Sequence, residues 1–116
     1  MIIGIVGSRK MSEYGKIVVS KLVKSILEKN FKMVTGRVRG VNNWVIEVGG
    51  DAVEVIETKD FEMMNREIAK RCDKLIVIEG GENSGTFLVA QLVLEMGKEV
   101  WAVPGRITDE GSAAPN

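Results

Sequence analysis

Apolar and polar positions alternate along the chain in two periods, one typical of strands and one typical of helices. Five short apolar runs predict strands, at Met1–Val6, Phe31–Thr35, Ala52–Ile56, Lys74–Ile78 and Glu99–Val103. The first and fourth runs are apolar at almost every position, which is typical of central parallel strands covered on both faces. The run at Ala52–Ile56 alternates only weakly, so we expect it near an edge of the sheet.

Helical periodicity fills the segments between these runs. The spacing predicts helices over Tyr14–Lys29, Val41–Val48, Asp60–Arg71 and Phe87–Met96. For Val41–Val48, strand remains the alternative around Trp44–Ile46. The helix that Asp60 caps would place Phe61, Met64, Ile68 and Cys72 on one face. The last helix is apolar nearly all round, so we expect it to be deeply buried, and Gly97 ends it.

Strands that alternate with helices predict an α/β fold of the three-layer, Rossmann-like kind. Such a fold has an open parallel sheet of about five strands, with right-handed crossovers and helices on both faces. Ligands of these sheets bind beyond the carboxyl ends of the strands, where the strand order reverses. With the order 3-2-1-4-5, this reversal places Gly7–Arg9 beside Glu79–Thr86. These two loops would form the walls of one crevice between strands 1 and 4, with Gly36–Gly40 at its flank.

Composition then limits the chemistry. The 116 residues suit one domain, 1–116, and 16 basic residues balance 16 acidic residues, so nucleic acid would have to bind a local patch. The sequence carries no leader pattern and no apolar run that could span a bilayer, from which we expect a cytoplasmic location and no membrane contact. Histidine is absent and Cys72 is the only cysteine. No catalytic constellation, metal site or cofactor is therefore predicted, and Cys72 is interpreted as a packing residue.

A glycine-rich turn joins the fourth strand to the last helix and is the first candidate site. Its residues would offer backbone N–H groups to an anion, and Ser84 or Thr86 could cap the helix. The turn contains five candidate binding residues: Gly80, Gly81, Ser84, Gly85 and Thr86. The alternative is that these glycines only allow a tight connection.

Basic residues at other strand ends strengthen the anion-site interpretation. Arg9, Arg37 and Arg39 lie in loops predicted to share one edge of the sheet, and arginine matches phosphate oxygens in a bidentate manner. One arginine alone would be an ordinary surface residue, but three on one edge favour anion binding. The loop glycines and Ser8 complete this part of the candidate site: Gly7, Ser8, Gly36 and Gly40.

The third helix adds candidates for recognition of a base. Asn65 could read a base or ribose edge, and Arg66 could pair with a phosphate or with Glu62. Phe61 could stack on a base but is predicted to be a core residue, as are Trp44 and Trp101. Glu79 and Glu82 are interpreted as solvated loop carboxylates.

Five motifs in order resemble the Rossmann-like domain of the DNA-processing proteins called DprA or Smf. They are Ile5–Arg9 with Tyr14-Gly15, Thr35–Gly40, Phe61–Arg66, Ser84–Ala90, and Val103–Gly105 with Gly111-Ser112. The resemblance implies binding of single-stranded DNA in the crevice, homodimerisation, and delivery of the strand to a RecA-type recombinase during DNA uptake and recombination.

The chain also departs from that family pattern. Met64 and Glu62 replace an arginine and a proline of the third motif, and Val41-Asn42 stands where the family has Ile-Asp. The region between residues 43 and 60 is shorter than in the longer members, and their flanking domains lie outside this chain.

Three hypotheses for the function follow. The first is a binder of single-stranded DNA or a related nucleotide phosphate that performs no chemistry. The second is a nucleotide sensor or hydrolase of the wider superfamily, which includes phosphoribohydrolases. Their Pro-Gly-Gly-x-Gly-Thr-x-x-Glu motif is not reproduced, since three residues separate Gly81 from Gly85 and Val89 replaces the glutamate. The third is a dimerising domain with a vestigial crevice.

Overall fold

The computed structural model describes residues 1–80 and 85–103. Strands and helices alternate through this part of the chain, as the periodicity predicted. In chain order they are β1 (Ile2–Gly7), α1 (Glu13–Glu28), β2 (Lys32–Gly36), α2 (Val41–Gly49), β3 (Val53–Ile56), α3 (Phe61–Arg71), β4 (Lys74–Ile78), α4 (Gly85–Glu95) and β5 (Glu99–Val103). A single 3₁₀ turn, Gly50–Ala52, joins α2 to β3.

The five strands form one parallel sheet in the order β3-β2-β1-β4-β5. The predicted fold class and strand order are therefore confirmed, and β3 lies at an edge as expected. β1 and β4 are neighbours in a register that pairs Gly7 with Ile78 at the end of both strands. The loops that leave these two strands consequently begin side by side.

Successive side chains of a strand point to opposite faces of the sheet, so each face carries its own core. Two helices cover each of these faces. Ile3, Ile5 and Met33 belong to the core beneath α1 and α2. Val34 and Leu75 belong to the core beneath α3 and α4. This arrangement is the three-layer architecture predicted from the sequence. The segment Val41–Gly49 forms a helix, so the strand alternative for it is wrong.

Side-chain caps fix where two of the helices begin. Ser12 Oγ accepts a hydrogen bond from the N–H of Gly15 at 3.0 Å and starts α1. Asp60 accepts one from the N–H of Met63 at 3.2 Å and starts α3, as predicted. At α4, Thr86 lies inside the first turn rather than at the cap, and Ser84 lies outside the described residues.

The expected deep burial of α4 is wrong. Thr86, Val89 and Val93 face the sheet, but Phe87, Leu88 and Leu94 are exposed on the opposite side. The helix is covered on one side only, because it packs against β4, β5 and α3 and no other described element crosses its outer side.

The aromatic residues and the cysteine divide between core and surface. Trp44 is half-buried against the α1–α2 core, and Cys72 is buried, so both packing predictions are confirmed. Trp101 is exposed on the edge strand β5 and Phe61 is exposed at the start of α3, which contradicts their assignment to the core. None of the described helices is both long enough and apolar enough to cross a membrane.

Candidate functional site

A cavity of about 400 Å³ lies at the carboxyl ends of β1 and β4, in the crevice that the strand order predicted. Its walls come from the loop after β1, the loop after β2, the end of β4 and the helices α3 and α4. The lining residues are Val6, Gly7, Ser8, Arg9, Val38, Asn42, Phe61, Met64, Asn65, Ile68, Glu79, Gly85, Thr86 and Val89.

Backbone hydrogen bonds fasten the first wall to its neighbours. The N–H of Ser8 donates to the carbonyl of Ile78 at 3.1 Å, and the N–H of Val41 donates to the carbonyl of Ser8 at 3.0 Å. Gly40 makes this approach possible, because its φ is +87° and a Cβ there would overlap the carbonyl of Ser8. The loops after β1 and β2 therefore form one connected wall.

Asn42 joins the same two strands from inside the protein. Its side-chain oxygen accepts the N–H of Gly7 at 3.0 Å, and its amide nitrogen donates to the carbonyl of Gly36 at 3.1 Å. The side chain is buried, so removing it would break two buried hydrogen bonds to the backbone. An amide fits this position because it is a donor and an acceptor at once, whereas an ionised carboxylate could only accept.

Glu79 is not a solvated loop carboxylate, which contradicts its interpretation from the sequence. It is 8% exposed, and its carboxylate accepts hydrogen bonds from the Ser12 N–H at 3.1 Å and the Ser12 hydroxyl at 2.6 Å. Its φ of +56° is unusual for a residue with a side chain. Glu79 thereby lies at the N-terminus of α1, where the helix dipole favours a negative charge. This carboxylate ties the β4 wall of the cavity to the β1 wall.

A cation and an aromatic ring meet at the mouth of the cavity. The guanidinium carbon of Arg9 lies 5.1 Å from the centre of the Phe61 ring, within the range of a cation–π interaction. Phe61 is 51% exposed although it lines the cavity, so part of its ring is open to a ligand. The interaction joins the loop after β1 to α3, two elements that lie far apart in the sequence.

The deeper part of the cavity is apolar. Met64, Ile68 and Val89 line it and are almost fully buried, and Val38 packs beside them. Asn65 and Thr86 add polar groups to this lining. An apolar interior with a few polar groups at its border is typical of a small-molecule or nucleobase site.

The predicted site residues fall into four groups, of which three arginines form the last. Six line the cavity: Gly7, Ser8, Arg9, Asn65, Gly85 and Thr86. Three support its walls, because Gly36 packs against Met64, Gly40 against Ser8, and Gly80 against Thr86. Gly81 and Ser84 lie outside the described residues.

The other three arginines do not line the cavity. Arg37 forms an ion pair with Glu57, and Arg66 forms one with Glu62, the simpler of its two predicted partners. Arg39 is exposed beside them on the loop after β2. The sequence did not predict a functional role for Asn42, whose only local signal is its place directly after a glycine-bounded loop.

The pKa shifts found outside the cavity have structural causes. Burial raises the pKa of the Cys72 thiol, which keeps it protonated and unreactive at neutral pH. The hydrogen bond from Arg71 lowers the pKa of Glu67 on the surface of α3. Within residues 1–80 and 85–103, no three Cys, Asp or Glu side chains converge as metal ligands would.

Comparison with known families finds one match that runs the length of the chain. The model of the DNA recombination-mediator protein A family matches residues 1–54 and 50–116. The DNA processing protein DprA of Bacillus subtilis is 32% identical over 152 residues, covering 97% of this chain and 51% of the relative. This chain thus spans about half the length of that relative.

The two parts of the family match overlap at residues 50–54, which form the 3₁₀ turn and the start of β3. The alignment with the Bacillus subtilis protein extends over 152 residues, more than the 116 of this chain. The relative therefore contains additional residues within the aligned region. The division of the family match agrees with the short region predicted between residues 43 and 60.

Solved structures share the fold. The DprA protein of Helicobacter pylori, described for its binding of single-stranded DNA, superimposes with a TM-score of 0.85 at 17% identity, over 94% of this chain and 67% of that chain. The DprA protein of Streptococcus pneumoniae superimposes with a TM-score of 0.78 at 23% identity, over 96% of this chain and 52% of that chain. At these identities the likeness concerns the fold alone.

Proposed function

The chain belongs to the DNA recombination-mediator protein A family, and from this membership we propose that it binds single-stranded DNA in the crevice between β1 and β4. The proposal rests on one observation above all, the Arg9 guanidinium beside the exposed ring of Phe61 at the mouth of the cavity. A cation next to an open aromatic face matches the two repeating parts of a nucleic-acid strand, its phosphate and its base.

Each side chain has a defined part in this proposal. Phe61 stacks on a base, a contact that every base can make because each has a π-face. Arg9 pairs with the adjacent phosphate through its planar fork of donors. Asn65 and Thr86 border the apolar interior, where they can bond the edge of a base that enters it.

The dimensions of the cavity favour a single strand over a duplex. Its volume of about 400 Å³ suits one nucleotide-sized group, and its apolar lining suits a base removed from its stack. Paired bases offer their edges only within the grooves of a helix, whereas the bases of a single strand can turn out and stack on protein rings. Unpaired DNA is therefore the expected ligand.

Binding without bond cleavage is the form of activity proposed. The Glu79 carboxylate is buried and accepts two hydrogen bonds from Ser12, which assigns it a structural role between two loops. The chain contains no histidine, and Val89 lines the cavity where the related hydrolases carry a glutamate. We therefore assign Arg9, Phe61 and Asn65 to recognition and no residue to catalysis.

The wider role follows from family membership. We expect the chain, as one domain, to take part in DNA processing during DNA uptake and recombination, to form a homodimer, and to pass the bound strand to a RecA-type recombinase. Delivery of the strand requires that it is held without being cut, which agrees with the binding proposed for the cavity.

Two pairs of variants test the binding site. Fluorescence anisotropy with a labelled single-stranded oligonucleotide should show affinity about tenfold lower for Phe61→Ala, because stacking contributes roughly 1–3 kcal/mol per base. The neighbouring exposed residue Met63 does not line the cavity, so Met63→Ala should bind like the wild type. Arg9→Ala should likewise weaken binding, whereas Lys10→Ala should have little effect.

Equal affinity for Phe61→Ala and Met63→Ala would place the strand elsewhere on the surface. A competition with duplex DNA of the same sequence completes the test. Preference for the duplex would contradict the recognition of unpaired bases.

A mononucleotide is the second candidate ligand, because the cavity has the volume of a small-molecule site. Thermal-shift measurements with mononucleotides and with oligonucleotides separate the two. Stabilisation by a mononucleotide and not by a strand would support the nucleotide sensor. Stabilisation by neither would leave the domain as a dimerising module with a vestigial crevice.

A further inference from the structure

One buried side chain, Asn42, bonds the ends of two neighbouring strands and also lines the cavity. Its oxygen accepts the N–H of Gly7 at the end of β1, at 3.0 Å, and its nitrogen donates to the carbonyl of Gly36 at the end of β2, at 3.1 Å. The residue is only 5% exposed, so water does not readily replace either bond. The loops that leave β1 and β2 therefore start from two points that this single amide holds.

The same turn of α2 holds the loop after β1 a second time. The helix begins without a side-chain cap, and the N–H of Val41 donates instead to the carbonyl of Ser8 at 3.0 Å. The hydroxyl oxygen of Ser8 accepts the N–H of Lys10 at 3.0 Å, which closes a turn around Arg9. A series of hydrogen bonds thus links the start of α2 to the turn that carries the guanidinium at the mouth of the cavity.

The position of Asn42 requires a donor and an acceptor at once. A neutral amide supplies both at every pH, whereas the family pattern has aspartate at this position. An ionised carboxylate could accept from Gly7 but would set a negative oxygen against the carbonyl oxygen of Gly36. A protonated carboxyl could bond both groups. Only the amide makes the contact independent of protonation.

Few other charges surround Asn42. Of the described residues that line the cavity, only Arg9 and Glu79 are ionisable. The buried residues of β1, β2 and α1 are all uncharged. Beyond α2, the carboxylates of Asp51 and Glu54 are exposed. Because all of these groups are also present in variants of Asn42, comparison with the wild type removes their own contribution to any dependence on pH.

We propose that Asn42 is a positioning residue of the DNA site, which sets the place of Arg9 through the loop after β1 and, as a neutral amide, does so independently of pH. The inference rests on the proposed function, and it assigns to that site a residue that acts through another. Arg9 contacts the strand, and Asn42 fixes where the guanidinium of Arg9 is presented.

Exchange of the amide for a carboxylate tests the proposal. Asn42→Asp should bind a labelled single-stranded oligonucleotide within about twofold of the wild type at pH 5 and about tenfold more weakly at pH 8, the loss expected for one hydrogen bond. Burial disfavours the ionised form, so the pKa of the new carboxyl should lie above the ordinary value of about 3.9. The bond to Gly36 is then present below that raised pKa and lost as the pH rises through it.

The neighbouring residue provides the matched control. Asn43→Asp adds the same charge to the same turn of α2, but Asn43 is exposed and does not line the cavity. Its affinity should follow that of the wild type at both pH values. A profile of Asn42→Asp that runs parallel to the wild type, whether equal or uniformly weaker, overturns the proposal.

A carboxylate in the cavity could also repel the strand directly, and a double-mutant cycle separates this effect from positioning. If Asn42 acts through Arg9, Asn42→Asp should cost much less affinity at pH 8 in the Arg9→Ala background than in the wild type. An equal loss in both backgrounds overturns the proposal. Thermal unfolding at each pH identifies where the variants are folded, and a loss of affinity that begins only where Asn42→Asp unfolds assigns Asn42 to stability alone.

NMR spectra of the free protein test the positioning without DNA. Between pH 5 and pH 8 the backbone N–H signals of Ser8 and Arg9 should shift in Asn42→Asp, and much less in the wild type and in Asn43→Asp. Absence of these shifts contradicts the proposed link between Asn42 and the loop. A wild type that binds no oligonucleotide, with the shifts present in Asn42→Asp, overturns the proposed function and leaves the hold on the loop standing.

Discussion

At the scale of single residues, Glu79 shows most clearly how context changes the role of a side chain. Beside glycines in a loop, a glutamate is ordinarily solvated. Here its carboxylate is buried and bonded to Ser12, a residue 67 positions away. Gly15 permits this contact, because a Cβ at that position would overlap the carboxylate. No pattern local to either residue predicts the pair.

Breaking this contact should lower the free energy of unfolding in a non-additive way. Glu79→Ala removes both hydrogen bonds and should cost about 2–3 kcal/mol, because bonds to charged groups are the stronger class. Ser12→Ala keeps the backbone N–H bond to Glu79 but removes the hydroxyl bond and the cap of α1, at a cost of about 2 kcal/mol or more. In the double variant the shared contact is lost only once, so its destabilisation should be smaller than the sum of the two single ones. Urea unfolding should show this difference as a coupling free energy of about 1 kcal/mol or more.

A second cycle provides the control for that coupling. Asp60 caps α3 and does not contact Glu79, so Asp60→Ala and Glu79→Ala should be additive. Coupling of the same size in both cycles would mean that the non-additivity arises from the unfolded state or from general weakening of the fold. Additive behaviour in the Glu79–Ser12 cycle would show that the two residues act independently.

At the scale of elements, the wall of the cavity depends on how two loops meet. The loop after β2 ends at Gly40, and α2 begins at once with the Val41 N–H bonded to the carbonyl of Ser8. The sequence predicted both loops and the helix, since glycines and periodicity mark their ends. It did not predict that the loops touch, because that contact depends on the crossover that brings α2 against β1.

Two glycines have similar backbone conformations, and only one of them lies at that contact. Substituting each in turn therefore shows how much the contact contributes to the free energy of unfolding. Gly40 has φ +87° and ψ −134°, and Gly50 has φ +55° and ψ −133°. Both disfavour alanine, by about 1–2 kcal/mol for the conformation alone. A Cβ at Gly50 meets open space, whereas one at Gly40 overlaps Ser8 and the backbone of Arg9.

Gly40→Ala should therefore lower the free energy of unfolding by about 1–3 kcal/mol more than Gly50→Ala, the range typical of overpacking. It should also weaken oligonucleotide binding, because Ser8 and Arg9 must move, while Gly50→Ala should leave affinity unchanged. Thermal unfolding and anisotropy on the two variants supply the comparison. Equal losses of stability and affinity would show that the junction of the loops does not position Arg9.

At the scale of the whole molecule, the balance of charge sets how DNA binding should respond to salt. The chain has 16 basic and 16 acidic residues, and Arg9 is the only cation among the described residues that line the cavity. Arg37 and Arg66 are already paired with glutamates. Affinity should therefore depend more on stacking than on the release of counterions from many phosphates.

The dependence of affinity on salt concentration tests this balance. For a single strand, the slope of log K against log salt is about −0.7 for each phosphate that the protein neutralises. The wild-type slope should correspond to only a few phosphates, and Arg9→Ala should reduce its magnitude by about 0.7. Lys10→Ala should leave the slope nearly unchanged. A steep slope that Arg9→Ala does not alter would indicate an extended basic surface in place of the cavity.

The sequence by itself determined the strands, the helices, their order in the sheet and the position of the crevice. The strands and helices follow from local periodicity, which few residues decide at a time, while the order 3-2-1-4-5 was an expectation that the sheet confirms. It also identified Gly7, Ser8, Arg9, Asn65 and Thr86, all of which line the cavity. Residue type and position at a strand or helix end predicted these five, and their part in binding stays a prediction.

Only the tertiary structure decided which side chains are buried, paired or left open. It buried Glu79 against Ser12, placed Asn42 between two strand ends, and paired Arg37 with Glu57. It also exposed Phe61 beside Arg9 and left one side of α4 uncovered. Each outcome depends on contacts between segments far apart in the chain, and the periodicity of one segment does not specify which neighbour it will meet.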